Sequence, residues 1–191
     1  MEPARRNIEL KARIASLDEG RQIARGVATD HLGVQKQVDT YFCCRQGRLK
    51  LRESDQTGAQ LVSYLRADSP DAKPSDYRLL DISDPQRLRA MLAETLGVAC
   101  VVEKNREVFM FENVRIHLDD VVALGTFLEF EAVLSEKISD QQGHDQIAHL
   151  SEIFKIGPAD LLRGSYSDLI DCQNKIRTLG DDPAQQGDFA R

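Results

Sequence analysis

Two short stretches decide the fold. Residues 48–52 read Arg48-Leu49-Lys50-Leu51-Arg52, and residues 127–131 read Phe127-Leu128-Glu129-Phe130-Glu131. Each alternates with period two, the period of a β-strand whose successive side chains point to opposite faces. In the first, Arg48, Lys50 and Arg52 share one face. In the second, Glu129 and Glu131 share one face. One strand is purely basic on its polar side and the other purely acidic, whereas a surface built for solubility usually intersperses signs.

The same pattern extends along the chain. Glu9, Lys11 and Arg13 share a face opposite Ile8, Leu10, Ala12 and Ile14. Lys104 and Arg106 share a face in VVEKNREVFMF, and Arg115, His117 and Asp119 share one in VRIHLDD. Arg66 closes the strand containing Tyr64. Strands are expected over residues 6–14, 35–42, 48–53, 60–66, 77–82, 98–111, 114–122 and 126–134. Short turns at Gln46-Gly47, Asp55–Gly58 and Glu112-Asn113 join several of them, and short connections force antiparallel neighbours. Three helices are expected. One follows Ser16 as N-cap, with Glu19 at capping-box spacing, and runs to about Ala28. The second starts at Pro85, carries Leu88, Met91, Leu92 and Leu96 on one face and stops at Gly97. The third starts near Ser139 or Asp140 and groups Ile147, Leu150, Ile153 and Phe154, with Gly143 a weak point. A short helical segment follows Pro158. The fold class is therefore α+β, an eight-stranded antiparallel closed barrel with helices packed outside.

A single half-exposed sheet puts its charges in water. Segregated charge on nearly every strand instead points to a barrel with a charged interior and an apolar outer face under the helices. A bound triphosphate with Mg²⁺ or Mn²⁺ answers both signs. Its oxygens take Arg and Lys donors, and the cation takes hard carboxylates such as Glu9, Asp119, Glu129 and Glu131.

Composition sets the limits. The 191 residues carry 41% hydrophobic and 29% charged residues, as in a soluble globular protein. The net charge of −6 argues against a generic nucleic-acid binder. No window approaches the roughly 20 apolar residues of a membrane span, and MEPARRNIELKAR lacks the apolar run of a secretory signal. Cys43, Cys44, Cys100 and Cys172 have no zinc spacing and read as reduced thiols, which fits a cytoplasmic protein. One domain over residues 1–175 is expected, with a disordered tail over 176–191.

The ordered set Asn7-Ile8-Glu9-Leu10-Lys11, RLKLR, EKNRE, VRIHLD and FLEFE resembles the CYTH superfamily of triphosphate tunnel metalloenzymes, over about Arg6 to Ser167. VDTYF, SDYR, LGTFLEFE and GSYSDL resemble most its class IV adenylate cyclase branch. The resemblance implies an enzyme that converts ATP to cyclic AMP and pyrophosphate with Mg²⁺ or Mn²⁺. The alternatives are an inorganic or organic triphosphatase, acting on tripolyphosphate or thiamine triphosphate, and a non-catalytic nucleotide or polyphosphate binder. It assigns the metal to Glu9, Asp119, Glu129 and Glu131, and catalysis to Lys11, Arg106 and Asp119. Lys11, Arg13, Arg48, Lys50, Arg52, Arg66, Arg78, Lys104, Arg106 and Arg115 are assigned to the substrate. It implies a small-molecule triphosphate as partner, neither nucleic acid nor membrane, and leaves open a homodimer. The family's E-x-E-x-K signature departs here at its first position, where Asn7 replaces Glu. His117 reads as a satisfied wall histidine, and Tyr41, Tyr64, Tyr77 and Tyr166 as packing or lining.

Overall fold

The computed structural model describes residues 5–170. Eight strands appear in the expected places: β1 (Arg5–Arg13), β2 (Asp30–Phe42), β3 (Arg48–Ser54), β4 (Gly58–Arg66), β5 (Lys73–Ile82), β6 (Val98–Phe111), β7 (Val114–Val121) and β8 (Gly125–Val133). They close into a barrel in the order β1-β5-β4-β3-β2-β6-β7-β8, every pair antiparallel. Closure leaves no open sheet edge.

Two strands start earlier than their alternation suggests. β2 reaches back to Asp30 across a register shift at His31/Gly33, where Gly33 takes a positive φ of 86°. A bulge breaks period two, so the pattern cannot show it. β5 reaches back to Lys73 through Pro74, which pairs with Ile8. Proline in a run argues against a strand on sequence grounds.

Helix α1 (Leu17–Val27) is capped by Ser16, whose Oγ accepts from Glu19 N at 3.3 Å. Helix α2 (Pro85–Leu96) is capped by Asp84 and ends at Gly97 with φ 79°. Helix α3 (Asp140–Ile153) carries a reciprocal capping box. Gln142 N donates to Ser139 Oγ at 3.3 Å, and Ser139 N donates to Gln142 Oε1 at 2.9 Å. Gly143 proves to be a close-approach position. A Cβ there would lie 2.9 Å from Leu134 Cδ2 and 3.0 Å from Ile8 Cγ1, so its small size lets α3 lie against β1 and β8. A 3₁₀ turn follows at Pro158–Asp160, and a helical turn begins at Tyr166.

The main apolar core lies outside the barrel. Ile8 and Leu10 of β1, Ile116 and Leu118 of β7, and Leu128 and Phe130 of β8 turn outward and pack under α1 and α3 with Ala24, Ile147, Leu150 and Phe154. A second cluster plugs one barrel end from within. Cys100, Val102, Val121 and Phe127 pack there against Tyr166, with Leu162, Leu169 and Ile170 behind. The expected apolar face of α2 is only partly covered, since Met91 is 56% and Leu96 41% exposed. The expected tail at 176–191, the end of the domain at 175 and Cys172 lie outside the described residues. Cys43 and Cys44 are exposed thiols and Cys100 is buried.

These environments predict unequal costs. Phe130 is fully buried and meets Phe154 edge-on at 5.3 Å, so Phe130→Ala should lower stability by about 3–5 kcal/mol. Met91→Ala, at a half-exposed site, should cost no more than about 0.5 kcal/mol. Urea midpoints of the two variants check both values.

Candidate functional site

The inward faces of all eight strands enclose a cavity of about 430 Å³. Its described lining includes the cations Lys11, Lys50, Arg52, Arg66, Lys104, Arg106 and Arg115 and the carboxylates Glu9, Asp39, Glu129 and Glu131. Seven cations against four carboxylates leave the cavity net positive when all are ionised.

Register neutralises most of this charge across strands. Asp39 lies opposite Arg52, Lys11 opposite Glu129, Arg115 opposite Glu131 and Arg106 opposite Asp119. Lys11 Nζ is 2.7 Å from Glu129 Oε1. Arg106 donates from Nε and Nη2 to the two oxygens of Asp119 at 2.7 and 2.6 Å, and from Nη2 to Glu129 at 2.6 Å. Arg66 pairs with Glu9. One opposed pair is of like charge, Glu9 and Glu131. Burial raises the Glu9 carboxyl despite Arg66, and the charges of Glu129 and Glu131 push it further up. A like-charged pair on a largely buried wall is repulsive, and a cation between them would relieve it.

Asp39 organises the basic side. It is 1% exposed and accepts from Lys50 Nζ at 3.0 Å, Lys104 Nζ at 2.8 Å and Arg52 Nε at 2.8 Å. Burial would push its carboxyl up, but Arg52, Lys104 and Lys50 hold it well below the usual range. Burial in turn lowers Lys104 to about 7 and Lys50 to about 8, against the pull of Asp39. His117 is held below its usual value, first by burial and then by the Arg106 charge.

The expected site residues divide into two groups. Glu9, Lys11, Lys50, Arg52, Arg66, Lys104, Arg106, Arg115, Glu129 and Glu131 share the one cavity. Arg13, Arg48, Arg78 and Asp119 do not line it. Arg13 and Arg48 stand at the plugged end. Arg13 lies over the Phe127 ring at 4.7 Å and donates to Leu124 O, and Arg48 turns to Asp68 and Asp168, both at 2.9 Å. Arg78 faces outward, because the inward positions of β5 are Ser75, Tyr77 and Leu79. Asp119 is completely buried behind Arg106 and accepts from Tyr166 Oη at 2.6 Å. It holds Arg106 in place rather than facing the cavity.

Sequence reasoning missed Asp39, although Gln35, Gln37, Asp39 and Tyr41 form a polar alternation along β2. It also passed over the neutral mouth of the cavity, where Leu32, Gln56, Thr57, Gln60 and Leu79 stand. Tyr41, Tyr64, Tyr77 and Tyr166 all line the wall.

Two predictions concern this charge. Asp39→Asn leaves buried Lys50 and Lys104 and part-buried Arg52 without their shared counterion, so stability should fall by about 3–5 kcal/mol, and added tripolyphosphate should recover part of the loss in thermal melts. The free protein should also gain stability from pH 7 to pH 9. Unfolded lysines keep their protons up to about 10.4, whereas Lys104 and Lys50 release theirs near 7 and 8 when folded. The unfolded state therefore binds more protons in this window, and stability rises with pH. A urea midpoint that falls between pH 7 and pH 9 would contradict the protonation scheme.

Comparison with known proteins agrees with this geometry. The chain resembles the PH1012 protein of Pyrococcus horikoshii (TM-score 0.76, 22% identity, covering 85% of this chain and 98% of that one). It also resembles a candidate adenylate cyclase of Vibrio parahaemolyticus (TM-score 0.70, 19% identity, 86% and 97% covered). A third similar structure is the candidate adenylyl cyclase HpAC1 of Hippeastrum, described with a dominant triphosphatase activity (TM-score 0.59, 15% identity, 88% and 96% covered). At these identities the likeness is one of fold. No curated protein matches the chain significantly. The profile of the CYTH domain matches residues 5–166, the whole barrel and its plug up to Tyr166, and the chain belongs to the CYTH domain family.

Proposed function

We propose that the protein binds a triphosphate together with a divalent cation in this cavity and converts ATP to cyclic AMP and pyrophosphate. The observation that carries the binding step is Arg66. Its Nε and Nη2 are buried without a hydrogen-bond partner, inside a cavity lined by six further Lys and Arg side chains. Buried guanidinium N–H groups without acceptors are costly, and phosphate oxygens fit their planar fork.

The donor set also suits a cation. Glu9, Glu129 and Glu131 would hold it, and their mutual repulsion in the free protein is what it would relieve. When bound, the cation neutralises phosphate charge as a Lewis acid. Lys11, Lys50, Arg52, Lys104 and Arg106 would bind the phosphate oxygens and orient the chain of phosphates. Asp119 and Tyr166 act through Arg106 as positioning residues. Much of phosphoryl-transfer catalysis is such positioning and charge stabilisation. On this reading the 3′-hydroxyl oxygen of ATP forms a bond to the α-phosphorus, the bond from that phosphorus to the bridging oxygen breaks, and pyrophosphate leaves. The hydroxyl proton passes to water or to the leaving group.

The cavity mouth supports an organic rather than a purely inorganic substrate. Leu32 and Leu79 offer apolar contact beside the neutral hydrogen-bonding groups of Gln56, Thr57 and Gln60; a nucleoside can use both, whereas tripolyphosphate has no apolar surface to place there. A second reading, water attacking the γ-phosphorus, is supported by the triphosphatase activity described for the Hippeastrum protein.

Incubation with ATP, tripolyphosphate or thiamine triphosphate, each with Mn²⁺ or Mg²⁺, tests these readings. Chromatography should show cyclic AMP and pyrophosphate from ATP. ADP and phosphate would favour the hydrolase, and binding without turnover would favour a sensor. Arg106→Ala and Glu129→Gln should each lower turnover by roughly a hundredfold or more, with CD spectra reporting whether the fold persists.

A further inference from the structure

Among its described lining the cavity carries one histidine. His117 sits mid-strand in β7, 4% exposed, directly opposite Glu129 in register. Its Nδ1 lies 3.5 Å from Glu129 Oε2. One ligand atom from each of His117, Glu129 and Glu131 lies within 4.8 Å of the other two. Donors bound to one divalent ion at about 2.1 Å stand within about 4 Å of each other, so a small side-chain adjustment brings this set to one centre. Glu131 meets Arg115 Nη1 at 3.3 Å, long for a charge-assisted bond, and its oxygens retain lone pairs for a cation.

A second observation comes from β1. Asn7 lines the same cavity, is 4% exposed, and its Oδ1 is buried without a hydrogen-bond donor. Asn7 pairs with Val133, two residues beyond Glu131 on the adjacent strand, which places it diagonally across from that carboxylate. A buried amide oxygen with no donor is costly, and a cation satisfies it as a neutral oxygen ligand.

Nitrogen among oxygens changes which ion is held best. Mg²⁺ prefers hard oxygen donors and retains its waters, whereas imidazole suits the later first-row transition ions, and affinity for such a site rises from Mn²⁺ through Co²⁺ to Cu²⁺. We propose that His117 supplies a nitrogen ligand to the cation held by Glu129 and Glu131, with Asn7 Oδ1 as a further neutral donor. The site thereby prefers a first-row transition ion such as Mn²⁺ or Co²⁺ over Mg²⁺. The proposal rests on the divalent cation of the proposed function, but it is read from the metal without turnover.

The test uses the full chain loaded with Mn²⁺ alone. Pulsed EPR is recorded on protein at natural abundance and on protein grown with ¹⁵N-histidine. The expected result is ¹⁴N modulation that changes to the ¹⁵N pattern on labelling and disappears in His117→Asn. Calorimetric titration should show Mn²⁺ bound more tightly than Mg²⁺, with that preference shrinking by about tenfold or more in His117→Asn, the scale on which single groups at metal sites act. The label needs no substitution, so a variant that fails to fold does not block the measurement. Bound Mn²⁺ without histidine coupling, or coupling that persists in folded His117→Asn, overturns the assignment and leaves the metal-assisted reading standing. No Mn²⁺ bound, even with a non-hydrolysable ATP analogue present, overturns both.

Discussion

A charge moved from water into a protein interior loses its hydration, and the loss is tolerable only when opposite charge and hydrogen-bond donors stand within a few ångströms. This chain places more than ten ionisable side chains on the inside of one barrel. Antiparallel register meets the constraint. Because β2 and β3 are joined by a short turn, Asp39 falls opposite Arg52. Because β1 and β8 are neighbours on closure, Lys11 falls opposite Glu129. A slip of one residue in either pair would turn its charges onto the apolar outer layer.

The apolar groups have consequently moved outside. Ile8, Leu10, Ile116, Leu128 and Phe130 pack under α1 and α3, so the stability of the barrel resides in its outer layer. The interior is thereby free to be tuned for charge. Among the described residues its polar matching is incomplete at the partnerless N–H groups of Arg66, the partnerless Asn7 Oδ1 and Gln37 Oε1, and the opposed Glu9 and Glu131. Donors without acceptors call for an anion, and acceptors without donors call for a cation. A metal–triphosphate complex has both, which is why these defects and the cavity's positive balance point to the same ligand.

The plug gives the cavity its direction. Tyr166 reaches from the C-terminal segment to Asp119 and lies over Lys11 at 3.9 Å, while Leu162 N donates to Lys11 O. That end is closed with apolar and aromatic groups, and the opposite end opens past neutral side chains. On the proposed function, this asymmetry would orient a ligand with a charged chain and an uncharged head, its phosphates toward Lys104, Arg106 and Arg66.

The sequence by itself determined the strands, the antiparallel barrel and most of the charged lining, because period-two alternation depends only on local backbone geometry. RLKLR and FLEFE could be assigned inward faces before any fold was seen. Local pattern also placed Ser16 as a cap and set the start of α3 near Ser139. It could not show which strand ends lie beyond the plug, so Arg13 and Arg48 had the right parity but stand outside the cavity. Nor could it show that β5 begins at Lys73, beyond the break in pattern at Pro74. Arg78, assigned to the substrate by resemblance, has the outward parity of β5, whose inward positions are Ser75, Tyr77 and Leu79. The depth of Asp119 behind Arg106, the gathering of Lys50, Arg52 and Lys104 around Asp39, and the approach of His117 to Glu129 and Glu131 were decided only by tertiary structure. Each is a relation between strands distant in sequence, fixed by barrel closure and by the burial of charge that closure imposes.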